Sequence, residues 1–207
     1  MRLSLDLNTV EGYRTFLKVK ALPVHRFVGR EAYFPDEYAD RIGVERSKDK
    51  PSKYVPRPWL FDYQRDIATT AIRKRKFAVF ADCGLGKTPI FLEYVRHVNA
   101  VLPKGRAILM VCPLMVVRQT IAEAKRFYRD ELPIEQVVAK DLPAWAHKGG
   151  RIGITNYEAI TDDVDQGRLG ALILDESSML KSHYGKWGTR LIELGRGLEW
   201  KLAGTGT

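Results

Sequence analysis

Apolar positions along the chain repeat in two registers, and the register changes near residue 58. Between Gln64 and Arg75, the apolar residues Ile67, Ala68, Ala71 and Ile72 fall at three- and four-residue spacing, which predicts a helix with one buried stripe. Phe77-Ala-Val-Phe-Ala81 is a short apolar run that leads into a glycine-bearing turn, and Thr88 to Asn99 reads as a second helix with Ile90, Phe91, Tyr94, Val95 and Val98 inward. Ala107 to Cys112 is a strand stopped by Pro113, and Val116 to Tyr128 is an amphipathic helix. Further on, strands are predicted at Ile134–Val138, Arg151–Thr155 and Ala171–Leu174, with a short helix running through Ile160. A helix over Thr189–Leu194 and a last strand from Trp200 to Ala203 complete the pattern. The runs at 77–81, 107–112 and 171–174 lack polar alternation, as strands covered on both faces do. Strands of this kind alternating with helices predict an α/β fold, a mainly parallel sheet between two helix layers, with ligands at the carboxyl ends of the strands.

The first 57 residues read differently. A short helix is expected over 10–20, with Tyr13, Phe16 and Leu17 on one face. Residues 41–57 form a basic loop, including Arg46-Ser-Lys-Asp-Lys-Pro-Ser-Lys53, punctuated by Pro51, Pro56 and Pro58. The expected division is an accessory segment at 1–57 and a larger domain at 58–207, which suits a length of 207 residues.

Composition narrows the classes. With 45% hydrophobic and 29% charged residues the chain is of ordinary globular type. Cys83 and Cys112 are too few for a disulfide framework, which favours a reducing, cytoplasmic setting. The apolar run Ala107–Val117 contains Pro113 and is too short to cross a bilayer, so no membrane role is expected. The net charge of +9 favours polyanionic partners weakly. His25, His97, His147 and His183 show no ligand spacing, and Cys83 has no histidine beside it to activate it.

Two short segments carry candidate chemistry. Ala81-Asp-Cys-Gly84-Leu85-Gly86-Lys87-Thr88 lies between a predicted strand and a predicted helix, the setting of a phosphate-binding loop. Glycines let backbone amides wrap phosphate oxygens, Lys87 reaches the β- and γ-phosphates, and the Thr88 hydroxyl ligates Mg²⁺. Ala81 stands where glycine is usual at the first position. Downstream, Leu172-Ile-Leu-Asp175-Glu176 ends an apolar strand in two acids. Asp175 would hold Mg²⁺ and Glu176 would orient and deprotonate the attacking water. A charged cap at a strand end is the plainer alternative for this pair. Ser177 and Ser178 follow and could tie the metal site to its neighbours.

With these motifs placed, residues 58–207 resemble the first motor domain of superfamily 2 helicases and translocases, of the chromatin-remodeller or phage-type DEAD-like branch. Leu60-Phe-Asp-Tyr63-Gln64 is similar to the family's glutamine element, Gly84 to Thr88 to motif I (Pro89 follows), and Val111-Cys-Pro113-Leu114 to motif Ia. Thr155-Asn156-Tyr157-Glu158 resembles the segment before motif II, and Asp175-Glu-Ser-Ser178 with Leu180-Lys181 resembles motif II in a DESS form. Lys201-Leu-Ala-Gly-Thr205-Gly206-Thr207 resembles the start of motif III.

The resemblance implies a RecA-like sandwich that binds ATP and Mg²⁺ and couples hydrolysis to movement on nucleic acid, DNA more than RNA and double-stranded by preference. It implies that Gln64 reads adenine, for its amide donates and accepts together. It places Leu114, Arg118, Gln119, Thr155, Asn156 and Tyr157 on the nucleic-acid track, and Thr205, Gly206 and Thr207 in coupling. Trp59 and Phe61 are read as packing residues, with base stacking as the alternative, and Arg73-Lys-Arg-Lys76 as a solvated helix end. The family's second motor domain and its arginine finger lie outside the sequence, so binding with poor hydrolysis is expected, from a monomer or a part of a larger complex. Another P-loop class, such as a kinase, and a nucleotide-gated binding module without turnover remain as alternatives.

Overall fold

The computed structural model describes residues 2–23, 25–34, 38–44, 54–82, 84–180 and 185–206, with the backbone alone for Arg2, Asp40 and Lys186. Cys83, Lys181, His183, Thr207 and residues 45–53 of the basic loop lie outside these residues. The chain divides into two compact units, Met1–Ser52 and Lys53–Thr207.

The first unit contains structure that hydrophobic periodicity did not reveal. Strands β1 (Arg2–Ser4), β2 (Arg26–Val28) and β3 (Glu31–Tyr33) form an antiparallel sheet in the order β1-β3-β2. Three-residue strands are too short to display a period. Helix α1 (Val10–Lys20) occupies the expected span, and the Thr9 side chain caps it by accepting from the Gly12 amide at 3.0 Å. Its inward contacts differ from the expectation. Val19 is fully buried and Phe16 packs on Phe27, whereas Tyr13 and Leu17 are about half exposed. Helix α2 (Ala39–Ile42) closes this small core through Ile42.

The second unit is a three-layer α/β sandwich. Its elements are α3 (Asp62–Lys74), β4 (Lys76–Phe80), α4 (Lys87–Val101), β5 (Ala107–Cys112), α5 (Leu114–Tyr128) and β6 (Ile134–Gln136). Then come α6 (Leu142–Lys148), β7 (Ile152–Asn156), β8 (Leu169–Leu174), α7 (Lys186–Leu194) and β9 (Trp200–Thr205). The strands lie in the order β4-β9-β8-β5-β7-β6, and every pairing within this sheet among the described residues is parallel. Along β5, Ile108, Met110 and Cys112 face the core shared with α3, α4 and α5, while Ala107, Leu109 and Val111 face the core shared with α6 and α7. β5 is buried throughout, as an interior strand with two covered faces must be.

Three expectations are revised. The run at 77–81 is not a strand covered on both faces. β4 is an edge strand, paired with β9 among the described residues, and its Phe80 is 72% exposed. The predicted short helix through Ile160 is a 3-10 turn, Tyr157–Ala159, and α6 was missed because Pro143 and a seven-residue length hide its period. Residues 54–57, expected in the N-terminal segment, belong to the second unit. There the Tyr54 hydroxyl donates to Glu93 and Arg57 pairs with Glu131.

Helix α4 is buried around most of its circumference, Leu92 and Glu93 included. It lies so close to β9 that a Cβ on Gly204 would sit 2.2 Å from the Phe91 ring, which accounts for glycine there.

Candidate nucleotide site

The site is assembled at the carboxyl ends of β4, β9 and β8. β4 runs into the loop Ala81–Gly86, and α4 begins at Lys87. Gly84 and Gly86 take positive φ of 87° and 63°, conformations that cost side-chain-bearing residues. Gly86 is the N-cap of α4, and among the described residues no side-chain cap hydrogen bond closes the helix start. The third helical residue is Pro89, a place where the missing N–H costs nothing. Thr88 and Pro89 are half-buried on this first turn.

The loop is held from beneath by α3. Gln64 is 4% exposed, its Oε1 accepts from the Phe61 amide at 3.1 Å and its Nε2 donates to the Gly86 carbonyl at 3.1 Å. Tyr63 donates its hydroxyl to the Leu85 carbonyl at 3.0 Å. Both polar ends of the Gln64 amide are therefore engaged by backbone in this structure, and the adjacent Tyr63-Gln64 pair serves as a brace for the loop. A cleft of about 300 Å³ opens beside it, lined by Tyr63, Ile67, Phe80, Ala81, Asp82, Leu85 and Ile90. Phe61 and Tyr63 stack at 5.9 Å near its rim, while Trp59 packs away from it on Phe127 at 4.7 Å.

Lys87 turns back over the loop, donating from Nζ to the carbonyls of Ala81 at 2.7 Å and Asp82 at 3.2 Å. Its charge reaches both acids that follow β8, so lysine and acid pair stand at the same sheet edge. The two carboxyls are driven apart. Burial raises Asp175, only partly offset by the Glu176 amide and Lys87. Glu176 is lowered, chiefly by the hydroxyl of Ser178, then by Thr205 and the Gly206 amide. Thr205 donates to Glu176 Oε1 at 2.9 Å, and Ser178 donates to the same oxygen. The Thr205 carbonyl in turn accepts from the Ala81 amide at 3.2 Å, so the end of β9 touches both the loop and the acid.

Along the same edge, Asn156 pairs in register with Cys112, next to the start of α5. Leu114 is 62% exposed and Arg118 and Gln119 are exposed, with Gln119 bonded to Glu123. Met115, which the motif reading passed over, is 86% exposed; nothing in a helix-start sequence distinguishes it. Two track candidates are turned inward instead. Thr155 is buried and donates to the Val137 carbonyl at 2.7 Å, and Tyr157 is fully buried and donates to the Asp175 carbonyl at 2.7 Å. Their positions at the end of a covered strand send alternate side chains into the core.

Other polar residues that the sequence singles out make contacts within the fold. Of the basic run, Arg75 pairs with Glu199 and lies over Trp200. Burial pushes the Cys112 thiol up to about 12, so it is no nucleophile. His25 lies against the Leu22 carbonyl, His147 pairs with Asp165, and His97 sits between the rings of Tyr54 and Trp200.

The residues fit Mg²⁺ and a triphosphate. An uncapped helix start behind left-handed glycines suits phosphate, and a hydroxyl with a carboxylate is a hard-oxygen donor set. Among the described residues no cluster of three or more His, Cys, Asp or Glu could hold a metal alone.

No family model and no curated protein sequence matches the chain. Solved structures do. The Sulfolobus solfataricus SWI2/SNF2 ATPase core in complex with dsDNA matches with TM-score 0.62 and 19% identity over 77% of this chain. The Pyrococcus furiosus Hef helicase domain matches with TM-score 0.51 and 18% identity over 70%. The chain spans about a third of each, 34% and 32% of their lengths. No helix among the described residues is long and apolar enough to cross a membrane. At these identities the likeness establishes architecture, and the second unit has the RecA-like α/β fold of helicase and ATPase motor domains.

Proposed function

We propose that the second unit binds Mg²⁺–ATP at the carboxyl edge of its sheet and is the ATP-binding half of a nucleic-acid motor acting on double-stranded DNA. The carrying observation is that the loop lysine Lys87 lies within electrostatic reach of both Asp175 and Glu176. The helix start and Gly84–Gly86 cradle the phosphates, with Lys87 on the β- and γ-groups. The adenine enters the cleft beside Tyr63 and Phe80, and Gln64, now bonded to Gly86, reads its edge after exchanging that bond. Thr88 and Asp175 would hold Mg²⁺, which when bound neutralises phosphate charge. Burial makes Asp175 reluctant to ionise on its own, so a cation beside it stabilises the carboxylate.

Glu176 stays charged, held by Ser178, Thr205 and Gly206. A carboxylate of lowered basicity is better at orienting water than at taking its proton. Thr205 and Gly206 couple that carboxylate to β9, with Thr207 beyond them. Leu114, Arg118 and Asn156, joined by Met115, offer the outward surface at the same edge; Thr155 and Tyr157 contribute backbone. Lys87 reaches both acids, and a second cation on the γ-phosphoryl group is worth on the order of 10³-fold or more in rate. With Lys87 alone on the phosphates turnover is slow, and a partner that carries a second cation completes the motor.

The test is a calorimetric titration of the chain with Mg²⁺–ATP, wild type against Lys87→Ala. Binding that vanishes in the variant supports the reading, and equal affinity refutes it. Double-stranded DNA, single-stranded DNA and RNA, added in parallel to an ATPase assay, then decide the polymer.

A further inference from the structure

The peptide unit between Asp175 and Glu176 is pinned at both ends. Its N–H donates to Asp175 Oδ1 at 2.9 Å, and its carbonyl accepts the Tyr157 hydroxyl at 2.7 Å. The residue that follows, Glu176, has φ of 54°, in the left-handed region that side-chain-bearing residues enter only where the surroundings hold them. Turning this peptide plane would swing the Glu176 backbone out of that region. Its carboxylate would then leave Ser178, Thr205 and the Gly206 amide.

Tyr157 is well suited to hold the plane. It is fully buried, its ring lies 6.3 Å from that of Trp187, and it opens the 3-10 turn Tyr157–Ala159 directly after β7. Asn156, the preceding residue, is half-buried at the outward edge and donates to Glu158 at 2.6 Å. One side chain thus spans from the turn at the end of β7 to the acid pair at the end of β8, across β5.

We propose that Tyr157 is a positioning residue: its hydroxyl fixes the Asp175–Glu176 peptide, sets the left-handed conformation of Glu176, and links the Asn156 turn to the acid pair. The functional part of this inference rests on the nucleotide reading above. A shift of the Asn156 turn by a bound polymer would be passed through the tyrosine to the water-orienting carboxylate, with no change in the phosphate loop.

The experiment compares Tyr157→Phe with wild type in ¹⁵N-labelled protein, together with Mg²⁺–ATP titration and single-turnover hydrolysis. Tyr128→Phe, which deletes another tyrosine hydroxyl on the Glu93 cluster, controls for loss of a hydroxyl alone. The expected result is a displaced Glu176 amide resonance in Tyr157→Phe only, nucleotide affinity within about 2-fold of wild type, and hydrolysis slowed about 10-fold. A Glu176 amide that stays in place overturns the tether, and a displaced amide with an unchanged hydrolysis rate overturns its role in the reaction. Wild-type protein that binds no Mg²⁺–ATP refutes the nucleotide reading instead, and the Glu176 amide still decides the tether.

Discussion

The Thr205 hydroxyl lies 2.9 Å from Glu176 Oε1, joining the last strand to the acid that ends β8. Because the Thr205 carbonyl accepts from Ala81 at the start of the Ala81–Gly86 loop, one residue touches both walls of the candidate site.

Replacing that threonine tests the join. Thr205→Val keeps the β-branched shape and deletes the donor, leaving Glu176 to Ser178 and Gly206. The loss should be about 1 kcal/mol in stability, read by urea unfolding. Nucleotide affinity should hold while the hydrolysis rate falls; a variant as fast as wild type would show that the contact is idle.

Gly86→Ala is expected to do more harm. The new Cβ would stand 2.4 Å from Gln64 Nε2, at a φ of 63° that alanine resists. Gln64 must withdraw and leave the Gly86 carbonyl unpaired, at a combined cost of about 2–4 kcal/mol. Mg²⁺–ATP binding should weaken at least 10-fold by calorimetry. Gly84→Ala, with open space around its Cβ, should carry the backbone cost alone.

The buried acid Glu93 predicts an acid limb in stability. Burial pushes its carboxyl up, but hydrogen bonds from Arg96, Tyr54 and Tyr128 outweigh burial and hold it below the usual glutamate value. A carboxyl with a depressed folded-state value stabilises fully above its unfolded value near 4.5, and that contribution is lost as pH falls through the folded value. Thermal melting of wild type should therefore fall steeply below pH 4.5. Glu93→Gln should be less stable at pH 7 and show a flatter limb; parallel curves for the two proteins would contradict the assignment.

His97 acts in the same direction at a higher pH. Burial, with Arg96 and Arg75 nearby, lowers its value, so the folded state favours neutral imidazole. Its contribution is complete above 6.5 and declines as the solution is acidified through the lowered value. ¹H–¹³C spectra of the ring should report a midpoint below 6.5; a midpoint above it would mean that an acid reaches the ring.

What the sequence by itself determined was whatever depends on local periodicity and local chemistry. β5 at Ala107–Cys112 was legible to the residue, and helices α3, α4, α5 and α7 to within three residues, because an apolar stripe or an apolar run is written in neighbouring positions. The glycines before Lys87 and the acids after Leu174 were legible for the same reason. Only the tertiary structure decided that Phe80 stands on an edge strand, since strand order depends on partners far along the chain. It alone turned Thr155 and Tyr157 inward, engaged Gln64 with the loop, and brought Thr205 and Tyr157 onto the acid pair. These contacts join residues 18 to 29 positions apart, and no pattern within one segment encodes which element will be its neighbour.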